Sequence, residues 1–512
     1  MIDVLILDFG SQTTHLIKRR SESFGLKAII KEGDLAFTEV KKLSPRTVIL
    51  SGGPSSVYID GGLLPDKRIF SLNIPVLGIC YGSEIVAEMW GGKVNKGEKG
   101  EYGKTNFFKN KKSLFFQDVP SAFTVWMSHF DKIIKIPRTF TLTGKTLTSD
   151  IASFENFQQK IYCTLFHPEV IHTQFGELLL KNFFQNVCKF KIKDQPTLLN
   201  VIEFSQEQTR VIKKTVGKKQ AICALSGGVD STVAAFLVNC AIGKSLTCVF
   251  INTGLMRLNE EEEIRKTFAQ TSLKIKFIDA QSLFLQNLKK VIDPEEKRKV
   301  IGRVFIEVLE SEAKKINAKF LVQGTIYPDV IESQGSKHSH KIKSHHNVGG
   351  LPQNLNLQLI EPLRELYKDQ VRFLGRYLKV PQKILTRHVF PGPGLAVRIM
   401  GEVTEKKLEL LKKADEIVRS EIEKAKLKEN VWMAFAVLTG IKTTGVVGDE
   451  RVYGETVAIR VVSSQDAMTA QWVKIPHEVL DKISTRITNE VRGVNRVLYD
   501  ITNKPPATME WE

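Results

Sequence analysis

The run Val76-Leu77-Gly78-Ile79-Cys80-Tyr81-Gly82-Ser83-Glu84 decides how the first third of the chain is read. An apolar strand ends in a Gly-x-Cys-x-Gly turn, and a helical pattern, Ser83–Met89, starts at once. So tight a strand-to-helix turn holds its central residue in an exposed elbow, and the flanking glycines remove side chains that would collide there. A helix N-terminus favours thiolate over thiol, so Cys80 reads as a nucleophile. The plainer alternative is a buried cysteine at an ordinary strand end. Upstream, Val4–Leu7, Ala28–Ile30 and Thr47–Leu50 are further strand candidates separated by amphipathic stretches. That alternation predicts a parallel sheet with helices on its faces.

A cysteine nucleophile needs a base and a group to orient it. Phe166-His167-Pro168-Glu169-Val170 offers both two residues apart, which on extended chain puts His167 and Glu169 on one side. Ser51-Gly52-Gly53-Pro54 ends another strand and offers glycine amides suited to an oxyanion hole. Together with Asp8-Phe9-Gly10-Ser11-Gln12 and Met127-Ser128-His129, these segments resemble the class I glutamine amidotransferases. The resemblance implies that Cys80, His167 and Glu169 form a triad that makes a glutamyl thioester and releases ammonia. It also implies that the amides of Gly53 and Tyr81 bind the oxyanion. Four positions depart from the family: Glu84 and Leu165 stand where it usually has glutamine, Phe130 where it has glycine, and Thr13 where tyrosine is common.

A second alternating region starts near Thr197, with strands expected at Gln220–Leu225, Leu246–Ile251, Ile275–Ile278 and Phe320–Gln323. Its first strand runs into Ser226-Gly227-Gly228-Val229-Asp230-Ser231-Thr232 and a helical run. Small residues let backbone amides approach phosphate at a helix N-terminus, and three hydroxyls add donors. No Gly-Lys-Ser/Thr follows, so this is not a Walker A loop. The string resembles the pyrophosphate loop of ATP pyrophosphatases, which implies ATP binding by Ser226–Thr232 and a magnesium ion positioned by Asp230.

Further along come Pro294–Gly302, Gln323–Ser333, Ile342–Gly350, Gly445–Asp449 and Lys504-Pro505-Pro506-Ala507-Thr508-Met509-Glu510-Trp511-Glu512. In this order they resemble the glutamine-hydrolysing GMP synthetases over essentially the whole chain. That implies the reaction XMP + ATP + glutamine + water → GMP + AMP + pyrophosphate + glutamate. It also implies XMP contacts from Arg298, Asp449, Lys504 and Glu510, and an adenylation lid carrying Asp329, Glu332 and Lys343. Asn252 departs from the aspartate usual there. The polar stretch Gln334–Pro352 is expected to be a mobile loop. The expected architecture is α/β: two parallel-sheet domains in series, 1–190 and 196–387, then a smaller α+β dimerisation domain, 388–512, making a homodimer.

Composition bounds the rest. In 512 residues, 42% apolar and 25% charged, no stretch approaches the ~20 apolar residues of a membrane span. The six cysteines form no Cys-x-x-Cys pair, which fits a reducing cytoplasm and neither a zinc knuckle nor a disulfide framework. A formal charge of +18 invites a nucleic-acid reading, but the basic residues are dispersed and no RNA- or DNA-binding signature accompanies them. Nucleic acid is not expected as a partner. Two rivals are another amidating pyrophosphatase, such as an NAD synthetase, and an RNA-binding protein with decayed enzyme domains. A third, related case is an ammonia-dependent synthetase with weakened glutaminase, motivated by Glu84 and Leu165.

Overall fold

In the computed structural model the described residues are 2–59, 62–192, 201–334, 357–387, 390–427, 431–447, 449–464 and 469–512. Lys343, most of the stretch Gln334–Pro352, His388 and Val389 fall outside them, as do the side chains of 331–334, including Glu332.

The four predicted N-terminal strands appear as Ile2–Asp8, Ala28–Glu32, Pro45–Leu50 and Val76–Ile79. With Ile161–Thr164 they form the parallel half of a nine-stranded sheet. Near-continuous apolar runs suit them, since parallel strands under helices are buried on both faces. Beyond Ile161–Thr164 the sheet continues through Ser153–Asn156, Thr141–Thr146, Glu101–Lys109 and Ala122–His129, all antiparallel. This extension was not legible as part of a parallel domain. Antiparallel neighbours need only short connections, so no helix marks them in the sequence.

The second sheet is wholly parallel, in the order Ile275–Asp279, Leu246–Asn252, Gln220–Ala224, Ala318–Val322, Gln358–Ile360. The chain order reverses on either side of Gln220–Ala224, and ligands of open α/β sheets bind at the carboxyl end of such a switch point. That end is Leu225-Ser226-Gly227-Gly228. The long helix Pro294–Lys315 carries proline at its start and is capped by Asp293, whose carboxylate accepts from the Glu296 amide at 2.9 Å.

In the C-terminal region, strand Glu450–Ser463 pairs antiparallel with Met433–Val447 and parallel with Val494–Asp500. Helices Glu405–Lys424 and His477–Glu490 bury apolar faces in one core with that sheet and with Ile222, Val249 and Leu321 of the second sheet. The third unit therefore shares a core with the second. The amidotransferase-like region has a core of its own.

Candidate active sites

Cys80 sits between strand Val76–Ile79 and helix Tyr81–Met89 at φ 52°, ψ −112°, a conformation few L-residues adopt. Its amide donates to Thr164 O at 2.7 Å, and the Gly82 amide to Ser51 O at 3.0 Å, tying the elbow to both neighbouring strands. A Cβ on Gly82 would lie 2.4 Å from Leu50 O, and one on Gly78 2.7 Å from Gly82 O. Only glycine fits at either place.

His167 and Glu169 converge on this elbow. His167 Nδ1 lies 2.7 Å from Glu169 Oε1, both side chains being buried. A Cβ on Gly52 would sit 3.1 Å from the His167 ring and 3.5 Å from Cys80 Cβ, so glycine lets the two approach. Burial opposes charge on the imidazole, but the Glu169 carboxylate and then Cys80 hold its pKa up at about 10. Tyr81 opens its helix, where the first amides have no intrahelical acceptor. Gly53 is packed against Phe9, whose carbonyl a Cβ would meet at 2.4 Å.

Sequence reasoning treated Thr13 only as a departure. In the structure its hydroxyl donates to Glu169 Oε1 at 2.6 Å and lies 2.9 Å from Ser11 Oγ, while among the described residues Glu169 Oε2 is buried without a partner. The signal available was the departure itself, four residues beyond Phe9. The helix Thr14–Ser23 that follows also meets the second region. Lys18 Nζ donates to Tyr327 Oη at 3.2 Å, and Arg19 lies over the Tyr367 ring and 2.7 Å from Asp369.

In the second region Ser226–Thr232 is drawn into a compact turn. Ser226 Oγ and Ser231 Oγ are 3.1 Å apart, and Thr232 Oγ1 donates to Gly228 O at 2.7 Å. Gly227 has φ 72°. Gly324 passes so close that a Cβ there would lie 2.5 Å from the Ser231 amide. Val229 opens the helix Val229–Ile242. Asp230 Oδ2 pairs with Lys368, while among the described residues Oδ1 is buried without a partner. Arg387 donates to Gly227 O at 2.8 Å and pairs with Glu260. Neither Lys368 nor Arg387 was singled out from sequence, because nothing local distinguishes them from other basic residues. Asp329 accepts from the Ile326 amide at 3.0 Å at the start of helix Tyr327–Gln334, which also contains Glu332. Asn252 accepts from the Gly254 amide and donates to Glu261.

The C-terminal tail lies against the helix Pro294–Lys315. Arg298 donates to the Glu512 carbonyl, and buried Lys297 pairs with the Glu512 side chain at 2.5 Å. Glu510 receives a two-pronged contact from fully buried Arg398, at 2.8 and 2.9 Å. Arg460 donates to the carbonyls of Thr502, Thr508 and Met509. Lys504 pairs through its backbone with Ala470. Arg298 and Glu510 are thus brought to one region by the tail. Asp449 is exposed at the tip of the Met433–Val447/Glu450–Ser463 hairpin, whose opposite end carries Arg460. It is not gathered with them.

Fold and sequence together define a class: a glutamine amidotransferase joined to an ATP pyrophosphatase. Family models match as glutamine amidotransferase class-I over residues 5–187, thiamine biosynthesis protein (ThiI) over 216–374, and GMP synthase C terminal domain over 420–511. A glutamine amidotransferase structure from Thermotoga maritima aligns at 19% identity and TM-score 0.32, covering 37% of this chain and 99% of its own. The chain is 51% identical over 510 residues to the GMP synthase (glutamine-hydrolyzing) of Aquifex aeolicus, covering 99% of both. To that of Clostridium botulinum strain Kyoto it is 50% identical over 511 residues, again 99% of both. It belongs to the glutamine-hydrolysing GMP synthase family.

Proposed function

We propose that the chain makes GMP from XMP, ATP and glutamine, with residues 1–190 releasing ammonia, 196–387 activating the nucleotide and 388–512 completing the XMP site and pairing subunits. The observation that carries this reading is the full-length family match together with two separate centres, the Cys80–His167–Glu169 cluster and the Ser226–Thr232 loop. In the first, His167 carries the proton that Cys80 gives up, so the imidazolium faces a thiolate, and the Cys80 sulfur attacks the glutamine amide carbon. The amides of Gly53 and Tyr81 receive the oxyanion. His167 returns the proton to the leaving ammonia, and water then releases glutamate from the thioester.

In the second, the loop amides and the hydroxyls of Ser226, Ser231 and Thr232 hold the ATP phosphates at the sheet's switch point. The XMP oxygen attacks the α-phosphorus, pyrophosphate leaves, and ammonia then displaces AMP from the adenylated carbon. Magnesium fits here in a limited way. Among the described residues no three acidic, His or Cys side chains cluster, but Asp230 keeps one buried oxygen free, and Mg²⁺ commonly takes one or two carboxylates plus substrate phosphates. When bound it would neutralise phosphate charge. Lys368 holds the other Asp230 oxygen. Asp329, Glu332 and Lys343 are assigned to the adenylation lid.

XMP binding is assigned to Arg298, Lys504 and Glu510, with the Glu512–Arg298 contact giving way to the nucleotide phosphate. Asp449 would serve a nucleotide only by reaching the site of a second subunit. Exposed Ile441, Val446 and Tyr453 on the same hairpin support a homodimer. Among the described residues no helix is long and apolar enough to cross a membrane, and we assign the protein to the cytoplasm. The test pairs two variants. Cys80→Ala should lose glutamine-dependent GMP formation yet keep activity with ammonium, and Asp230→Ala should lose both. A Cys80→Ala variant retaining its glutamine-supported rate refutes the nucleophile.

A further inference from the structure

A cavity of about 590 Å³ opens on the antiparallel half of the first sheet, between strand Ser153–Asn156 and the segment 109–118. It stands apart from both catalytic centres. Ser153 is in register with Thr164, whose carbonyl meets the Cys80 amide. Glu155 and Asn156 lie opposite Tyr162 and Ile161, toward the end of the sheet away from Cys80. Glu155 lines the cavity and is 8% exposed. Its Oε2 accepts from the Ser113 hydroxyl, and among the described residues Oε1 has no hydrogen-bond partner and the carboxylate no cation. Burial raises its pKa, and Ser113 opposes this only in part. A carboxylate held this way gains from a ligand that donates N–H groups to it.

Two other kinds of contact surround that carboxylate. The Phe157 ring, two residues on, lines the same cavity and is 64% exposed, with buried Phe116 behind it as further apolar wall. Exposed Lys112 supplies a positive charge, whereas the Lys109 ammonium is already held by Val119 O at 2.7 Å. An acceptor, an open aromatic face and a cation suit a mononucleotide: donors on the base edge, a ring to stack and a phosphate. The volume lies within the range of about 300–1,000 Å³ usual for small-ligand sites. The base edge then chooses among purines. Guanine presents N1–H and the N2 amino group side by side, both donors, and a carboxylate has about four lone-pair sites, of which Ser113 takes one. Xanthine carries a carbonyl oxygen in place of that amino group, and adenine an acceptor at N1, so each sets a lone pair against the carboxylate. We propose that this cavity binds a guanine nucleotide, with Glu155 on the base edge, Phe157 stacked on the base and Lys112 at the phosphate. It would separate product from the substrate XMP at a site remote from the chemistry. The choice of a guanine nucleotide as occupant rests on the proposed function.

The experiment is equilibrium dialysis of labelled GMP against the full chain without ATP, alone and with about a tenfold excess of XMP or AMP. XMP competes GMP off the catalytic site but should bind this cavity at least about 100-fold more weakly, because a site built for hydrogen-bond donors rejects an analogue lacking one. The wild type should therefore hold one GMP per chain that neither XMP nor AMP displaces. Glu155→Gln and Phe157→Ala should each weaken that binding at least about fivefold, the first through a lost charged acceptor and the second through a lost stacking face. Both variants should keep the initial rate of glutamine-dependent GMP formation within about twofold of wild type. Phe157 is exposed, so Phe157→Ala decides alone if Glu155→Gln falls below that rate. GMP fully displaced by XMP overturns the site, and so does a weakening under about fivefold in a variant that keeps the rate. Failure of the wild type to form GMP from XMP, ATP and glutamine contradicts the proposed function instead, and is scored apart from the dialysis.

Discussion

Thr13→Val is the most direct probe of how the amidotransferase centre is held. Glu169 is 1% exposed, and among the described residues Oε2 is unpartnered, so the carboxylate's support is the imidazole at 2.7 Å and the Thr13 hydroxyl at 2.6 Å, both on Oε1. Valine keeps the shape of threonine and removes the donor. A hydrogen bond to a charged group contributes about 1.5–3 kcal/mol. At about 1.4 kcal/mol per tenfold, its loss predicts a fall of roughly 10- to 150-fold in glutamine-dependent kcat/KM if the bond supports the imidazolium in the transition state. Ammonium-dependent GMP formation uses none of these groups and should stay within about twofold of wild type. The assay follows GMP and AMP with each nitrogen source in turn. Glutamine-dependent activity within twofold of wild type would refute the supporting role of Thr13, and an equal loss with both sources would point to general damage.

Gly82→Ala should abolish glutamine-dependent activity and lower the melting temperature, because its Cβ would lie 2.4 Å from the rigid Leu50 carbonyl; thermal denaturation reads the second effect. The pKa of His167 is raised to about 10 in the folded protein, so the stability it contributes is complete below its unfolded value near 6.5 and is lost as pH rises toward 10. Denaturant titrations of wild type and His167→Gln should therefore converge with rising pH over that window, and a constant difference would contradict the assignment. Burial raises the Glu101 pKa, but His129, Thr148 and Ser149 outweigh it and hold the carboxyl at about 2, so Glu101→Gln should be most destabilising above about pH 4.3 and progressively less so toward pH 2. Arg398→Met strips the two-pronged partner from half-buried Glu510 and one of three arginines from buried Asp415, which keeps Arg257 and Arg419, and should destabilise the C-terminal region by about 1–3 kcal/mol in urea while raising KM for XMP.

Sequence alone reached the alternation of strands and helices, the strained elbow at Cys80 and the glycine-rich turn after Gln220–Ala224. These were legible because a tight turn places its demands on neighbours in the chain: glycine where a Cβ cannot fit, small polar residues where amides must stay open. His167 and Glu169 could be paired because two residues of extended chain already set them on one side. What only the tertiary structure decided are contacts closed over long separations. Thr13 reaches Glu169 across 156 positions, Lys368 reaches Asp230 across 138, and Arg398 meets Glu510 across 112. The antiparallel half of the first sheet belongs with them, since strand pairing is settled between distant segments. Side-chain chemistry names the groups able to form an ion pair or a hydrogen bond, but the partner is fixed by which surfaces the folded sheets and helices bring together.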